Sequence, residues 1–256
     1  MLLYNLAVTT SLYNIGRFVL QGFSQLLWPA VCINCGLLTS HDDKGLCPKC
    51  WQEILQCVDP DYCPRCGTSV SRYILHNGRC PQCQQLEFHL DGLARAGIYG
   101  DALRKMIVAF KRDRTELDTH LSMLADSALR SSHFYDEIEL FVPVPLHWRR
   151  QLSRGYNQAE LLAKKLGHPR ATISGDLARV RHTAMQPAVD FAKRKANVRG
   201  AFAVRRGHRF EGKTICLVDD VKTTGATLNE CASVLKDAGA KKVYALVLAT
   251  AGRSTA

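Results

Sequence analysis

Residues Cys216–Leu228 read CLVDDVKTTGATL, and this stretch decides the fold. Apolar strand formers run into two acids, then a Thr/Gly-rich turn, then a helix start. A buried strand in an α/β sheet delivers its last residues to the carboxyl edge, where ligands of such sheets bind. Asp219 and Asp220 at that edge can accept hydrogen bonds from two vicinal hydroxyls. Thr223, Thr224, Gly225, Ala226 and Thr227 follow at a helix N-terminus, where backbone N–H groups and hydroxyls form a phosphate cradle. Gly225 permits close backbone approach. A ligand carrying a ribose diol and a 5′-phosphate fits both halves. The plainer alternative is a buried strand with an acidic helix cap, but one acid would serve that purpose. No Gly-x-x-x-x-Gly-Lys phosphate loop occurs.

Outward from this stretch, residues 92–252 alternate between helix and strand patterns, as in an α/β domain. Lys213–Val218 reads as a buried strand. Thr227–Ala238 follows as a helix with Leu228, Cys231, Val234 and Leu235 inward, and Gly239 ends it. Lys242–Leu248 is a further buried strand. Upstream, Asp101–Phe110 is helical with Leu103, Ile107 and Phe110 on one face. Glu116–Leu129 is a second helix, Glu139–Val144 a short strand ending at prolines, and Ala159–Leu166 a helix start. Residues 31–88 show little helical period.

The cysteines are not scattered. Eight of the eleven form four Cys-x-x-Cys pairs. Cys32, Cys35, Cys47 and Cys50 make one set, and Cys63, Cys66, Cys80 and Cys83 repeat it. Two knuckles of this kind complete a tetrahedron around Zn²⁺, so two closed, structural sites are expected. A disulfide framework is the rival reading and requires an oxidising compartment. Iron–sulfur ligation and dithiol redox chemistry are weaker alternatives. His41 and His76 read as surface residues. Cys57 is left over, and Cys216 and Cys231 read as core.

The chain has 256 residues, 46% of them apolar, enough for an α/β domain with a small accessory module. That composition excludes wholesale disorder. A net charge of +11 points to anionic partners. The first sixteen residues carry no charged side chain. They lack the basic start of a secretory signal, and Asn5, Thr9, Thr10, Ser11 and Asn14 interrupt any membrane span. A partly amphipathic helix packed on the protein is expected there, with a membrane-surface helix as the alternative, and the protein is expected in the cytoplasm.

The order Asp-Asp, variable pair, Thr-Gly-x-Thr resembles the signature loop of type I phosphoribosyltransferases. Val142–Ala163 (VPVPLHWRRQLSRGYNQAELLA) and Arg179–Phe202 (RVRHTAMQPAVDFAKRKANVRGAF) extend the likeness. With the tandem Cys₄ module, the chain is similar to the ComF (ComFC) family of competence-associated proteins over about residues 30–250. The resemblance implies a mainly parallel sheet flanked by helices, the type I phosphoribosyltransferase fold, after a double zinc ribbon. Its divisions are 1–30 as an apolar helical leader, 31–88 as the ribbons and 89–256 as the phosphoribosyltransferase domain. It implies that Asp219 and Asp220 hold the ribose hydroxyls of phosphoribosyl pyrophosphate (PRPP). The loop Val221, Lys222, Thr223, Thr224, Gly225, Ala226 and Thr227 would hold the 5′-phosphate.

By the same resemblance, Pro143–Arg150 faces pyrophosphate, with Arg149, Arg150 and Arg154 nearby. Arg179, Arg181, Gln186, Arg194, Asn197 and Arg199 belong to a closing loop. Guanidinium forks suit phosphate oxygens, and Mg²⁺ would accompany the pyrophosphate. Each arginine alone also reads as a solvated charge. From Arg149 to Lys213, however, sixteen Lys/Arg face four Asp/Glu, and Lys111, Arg112 and Arg114 add a basic knot. His147 and His182 are loop histidines before they are general bases. The implied role is a PRPP-binding phosphoribosyltransferase in natural competence and DNA uptake. Its alternative is a non-catalytic single-stranded-DNA-binding or scaffold protein that meets competence or recombination proteins through the ribbons, with PRPP as regulatory ligand. Trp51, Tyr62, Tyr73 and Phe88 are the candidate stacking aromatics for that alternative.

Overall fold

The computed structural model describes residues 29–40, 43, 45–85, 88–181 and 196–251. The expectations for the leader, His41, His182, Gln186 and Arg194 lie outside them. In chain order the helices are α1 (Pro48–Leu55), α2 (Pro81–Gln85), α3 (Asp101–Arg112), α4 (Asp118–Arg130), α5 (Trp148–Arg154), α6 (Gln158–Lys164) and α7 (Ala226–Asp237). The strands are β1 (Gly92–Ile98), β2 (Leu140–Pro143), β3 (Thr172–Ile173), β4 (Leu177–Arg179), β5 (Phe202–Val204), β6 (Thr214–Lys222) and β7 (Lys242–Thr250). Two compact units divide between Gln52 and Glu53. The first Cys₄ set lies in the N-terminal unit and the second in the unit that holds the sheet.

Among the described residues the main sheet has five strands in the order β1-β7-β6-β2-β3, and every pairing is parallel. Such a sheet is covered on both faces, which is why its strands read as unbroken apolar runs. Helix α4 packs on β1 and β7, α6 on β6 and β2, and α7 on β5, β6 and β7. The core beneath α7 joins Leu228, Cys231, Ala232 and Leu235, spaced i, i+3, i+4, i+7, to Leu93, Val142, Ile215, Leu217, Ala245 and Val247. Cys231 is fully buried there, and Cys216 is fully buried in β6, as expected. Val234 is only partly buried, and Ala232 takes the inward place. Gly239, at φ +89°, follows the helix.

Three expectations change. The strand expected to end at Val218 runs on to Lys222, because β7 continues beside it as far as Thr250. The helix expected from Glu116 opens with a 3₁₀ turn over Thr115–Leu117 before α4 begins. The cysteine-rich region, read as showing little helical period, contains the short helices α1 and α2. Both start on a proline, Pro48 and Pro81, whose fixed φ suits a first helical position.

β4 and β5 form a separate antiparallel pair. Among the described residues no helix is long and apolar enough to cross a membrane.

Candidate functional site

The two cysteine sets fold alike. In the first, Gly36 N–H donates to the Cys32 carbonyl (2.7 Å) and Cys32 N–H to the Leu37 carbonyl (2.8 Å). In the second, Gly67 N–H donates to the Cys63 carbonyl (2.7 Å) and Cys63 N–H to the Thr68 carbonyl (2.9 Å). Gly36 and Gly67 both sit at φ +74°, a left-handed turn that glycine adopts without strain. All four sulfurs in each set lie within 4.8 Å of one another. The separations are 3.8 Å for Cys35–Cys47, 3.8 Å for Cys63–Cys83 and 3.7 Å for Cys66–Cys80. A tetrahedron with Zn–S bonds of about 2.3 Å has edges of about 3.8 Å. The donors therefore fit a tetrathiolate zinc centre, and all eleven cysteines are free of disulfides.

The sets differ in burial. Cys63, Cys66, Cys80 and Cys83 are all buried, whereas Cys35 is exposed and Cys47 half-buried. Burial raises the Cys32 thiol, but backbone hydrogen bonds, that of Cys47 first, outweigh it and bring it down to about 6. His76 is no part of the second set. Its backbone pairs with Arg79 in a small bridge.

At the carboxyl end of β6 the two acids part company, as successive residues of a strand do. Asp220 forms an ion pair with Lys111 at 2.9 Å. Asp219 turns back to accept the Asp220 N–H at 2.8 Å. Asp219 is half-buried. Burial, then the Asp220 charge, pushes its carboxyl up to about 7, against the lowering influence of that N–H, Lys111 and Arg179. Lys111 belongs to the knot read as a polyanion contact. The structure gives it to Asp220, and it gives Arg114 to Glu116 at 2.6 Å.

The turn that follows ends in Gly225, left-handed at φ +80°, which caps α7. Ala226 N–H reaches the Thr224 hydroxyl at 3.3 Å, and Asn229 N–H reaches the Gly225 carbonyl at 2.9 Å. The N–H groups of Thr223, Thr224, Gly225, Thr227 and Leu228 have no acceptor among the described residues. Such a row of amides at the positive end of a twelve-residue helix is built to take an anion. Lys222 is buried beneath the turn, 8% exposed, and Val221 is half-buried.

The loop after β2 is held firmly. His147 caps α5, its Nδ1 accepting the Arg149 N–H at 3.3 Å, in keeping with a structural histidine. Gly155, left-handed at φ +78°, ends α5. Tyr156 donates to the Phe110 carbonyl. Asn157 caps α6 and donates to the Val144 carbonyl at 3.1 Å. Tyr156 thus ties this loop to the end of α3, next to Lys111.

Arg149 is exposed and lies over the Trp148 ring at 5.3 Å. Arg150 is half-buried. Burial, then Arg154, lowers the affinity of its guanidinium for its proton. Arg179 is likewise lowered by burial and then by Arg150, while Asp219 acts in the opposite sense. Its guanidinium stands 5.2 Å over the Phe202 ring. Arg150, Arg179 and Asp219 therefore share one electrostatic neighbourhood. Arg181 donates to the carbonyls of Asn197 (3.0 Å) and Arg199 (2.6 Å). The Arg199 side chain is exposed.

Two participants had no sequence signal. Glu230 holds the Gly200 N–H at 2.5 Å, and Arg95 pairs with Asp59 at 2.5 Å. Both contacts join segments remote in sequence, so local pattern carries no trace of them.

A family model described as "Double zinc ribbon domain" matches residues 23–84. A second, "Phosphoribosyl transferase domain", matches residues 152–256. "Competence protein F" of Haemophilus influenzae is 32% identical over 227 residues, covering 86% of this chain and 96% of that protein. "DNA utilization protein YhgH" of Salmonella typhimurium is 31% identical over 225 residues, 84% of this chain and 94% of that one. "Competence protein ComFC" of Streptococcus pneumoniae is 29% identical over 218 residues, 82% and 91% of the two chains. With two cysteine tetrads of ribbon geometry ahead of a parallel sheet that ends in an Asp-Asp turn, the chain belongs to the ComF (ComFC) family.

Proposed function

We propose that this protein binds PRPP with Mg²⁺ at the end of β6 and acts as a phosphoribosyltransferase in the handling of DNA during competence, in the cytoplasm. The observation that carries the reading is the row of acceptor-free amides from Thr223 to Leu228 directly after the Asp pair. The 5′-phosphate of the ligand takes those amides and the hydroxyls of Thr223, Thr224 and Thr227. Asp219 and Asp220 take the ribose diol, and Lys111 then gives up part of its hold on Asp220. Arg149, Arg150, Arg179, Arg181 and Arg199 supply positive charge for the pyrophosphate, which Mg²⁺ accompanies. The protein's work is positioning the sugar and stabilising charge as pyrophosphate departs from C1′.

The names of the relatives support a role in DNA use. The DNA-binding alternative gains less support. Of its stacking candidates, Tyr62 is half-buried with Arg95 over its ring at 4.8 Å, and Phe88 packs against the second cysteine set. Tyr73 alone of the four is largely exposed.

Calorimetric titration of PRPP with Mg²⁺ tests the assignment. The wild type should bind, and Asp219→Asn/Asp220→Asn should weaken binding at least tenfold, about 1.4 kcal/mol. Equal binding by both proteins, or none by the wild type, overturns it.

A further inference from the structure

Two hollows adjoin beside the second cysteine set. The larger has a volume of about 660 Å³ and lies between β1, α4 and the segment that leads into that set. Small-molecule sites run to about 300–1,000 Å³. Its walls are mainly apolar and include Leu55, Val58, Leu75, Leu124, Ala128 and Phe134. Leu55 and Val58 remain 44% and 43% exposed. The charged groups in the wall cancel, because Arg95 pairs with Asp59 at 2.5 Å. An uncharged, apolar body suits this space.

The smaller hollow, about 390 Å³, is lined by Arg65, Asn77, Gly78, Arg79, Asp91 and His133 together with Pro64. Pro64 and His133 belong to both walls, so the two hollows are neighbours. Here the charges do not cancel. Asp91 is held by Lys236 at 3.0 Å and by the Val243 N–H at 2.8 Å. Among the described residues neither Arg65 nor Arg79 forms an ion pair. Asn77 (φ +50°) and Gly78 (φ +69°) make a left-handed turn. His76 and Arg79 close it, the N–H of each reaching the carbonyl of the other at 3.0 Å. The N–H groups of Asn77 and Gly78 have no acceptor among the described residues. Asp91 N–H donates to the Val243 carbonyl at 2.8 Å, where β1 and β7 begin. The basic hollow is therefore at the amino edge of the sheet, and the Asp pair is at the carboxyl edge.

We propose that the two hollows form one binding site for an amphiphilic phosphate. Its apolar body takes the larger hollow, and its phosphate monoester head takes Arg65, Arg79 and the Asn77–Gly78 turn. Two guanidinium groups and a pair of unused amides match a dianion with three terminal oxygens. The open basic hollow gives a bare phosphate little burial, and the apolar hollow gives a bare hydrocarbon no polar anchor. Each half of the ligand therefore needs the other. The site is distinct from the amides of Thr223–Leu228, and the inference does not rest on PRPP binding.

The test uses the full chain with zinc bound and 1-naphthyl phosphate as the probe, followed by its fluorescence. Binding should saturate, and 1-naphthol and inorganic phosphate should each bind at least tenfold more weakly. Arg79→Gln, at an exposed position, should weaken the probe at least tenfold. Ala128→Phe, which fills the larger hollow from α4, should weaken it as much. The arginine variant keeps the test decisive if the phenylalanine disturbs the helix. On titration the backbone amide resonances of Asn77 and Gly78 should shift. No saturable binding by the full chain, as when another segment or a second copy fills the larger hollow, overturns the proposal. So does binding that neither variant weakens, which would place the probe at the Thr223–Leu228 amides. An oligonucleotide that binds through Arg79 where the probe does not would give the basic hollow to nucleic acid and overturns it as well. PRPP is absent throughout, so failure here and failure of the PRPP titration are separate results.

Discussion

Asp219 shows what the proposed binding site asks of a single residue. Its carboxyl is raised to about 7 from an ordinary 3.8, by burial first and the Asp220 charge second. A carboxyl raised in the folded state is a liability once it ionises. Its contribution to stability is intact below about pH 4 and is lost as pH climbs through 7. After allowance for solvent reaching a half-buried group, the penalty above pH 7 is about 2 kcal/mol. Asp219→Asn keeps an oxygen for the Asp220 N–H and removes the charge. It should raise the thermal midpoint at pH 8 by about 4–8 °C and leave it nearly unchanged at pH 4, as read by calorimetric melting. A gain of equal size at both pH values would show that burial of charge is not the cause. Lys111 eases the same tension from outside, pairing with Asp220 rather than with Asp219. In the proposed binding mode a ligand diol that shares the acids must compete with that pair, so Lys111 would set a threshold for binding.

At the scale of elements, close approach decides where chain identity matters. β1 runs so near the segment before the second ribbon that a Cβ on Gly97 would stand 2.4 Å from the Cys57 carbonyl oxygen. That carbonyl accepts the Ile98 N–H at 2.9 Å and cannot retreat without breaking the bond. Gly97→Ala should therefore lower stability by about 1–3 kcal/mol, whereas Gly175→Ala, which meets nothing within 4 Å, should be close to neutral. Paired melting curves decide it, and equal midpoints would mean that β1 has room to move. The same distinction governs what the sequence discloses. Cys-x-x-Cys knuckles, the Asp-Asp turn and the inward face of α7 are local patterns, and each is legible from a few neighbouring residues. The extension of β6 through its acids is not, because it depends on β7 continuing beside it to Thr250. Helices α1 and α2 escape notice for another reason. At eight and five residues they are too short to display a period. The pairings Lys111–Asp220 and Arg95–Asp59 link distant positions, and only the topology brings them together.

For the whole molecule, the division between Gln52 and Glu53 gives two homologous metal knuckles different duties. The second knuckle is structural material of the sheet unit. Its Gly67 carbonyl takes the Thr250 hydroxyl, and its Pro64 carbonyl takes the Leu93 N–H. A Cβ on Gly67 would come within 2.5 Å of the Leu93 side chain. All four of its cysteines are buried, while the first set shows Cys35 to solvent. Access governs attack by a chelator, and metal binding is part of the folding free energy of whichever unit holds it. Metal analysis should return about two zinc per chain. Chelator treatment should remove one equivalent quickly and the other slowly. Loss of the fast equivalent should leave the melting transition of the sheet unit in place, because the first set belongs to the other unit. Loss of the slow equivalent should lower that transition, since it unpins the knuckle from β1 and β7. The measurement is a stepwise titration with melting curves at each stage. A single release phase with simultaneous collapse of the sheet unit would show that the two knuckles act as one, and that the boundary at Gln52 has no energetic meaning.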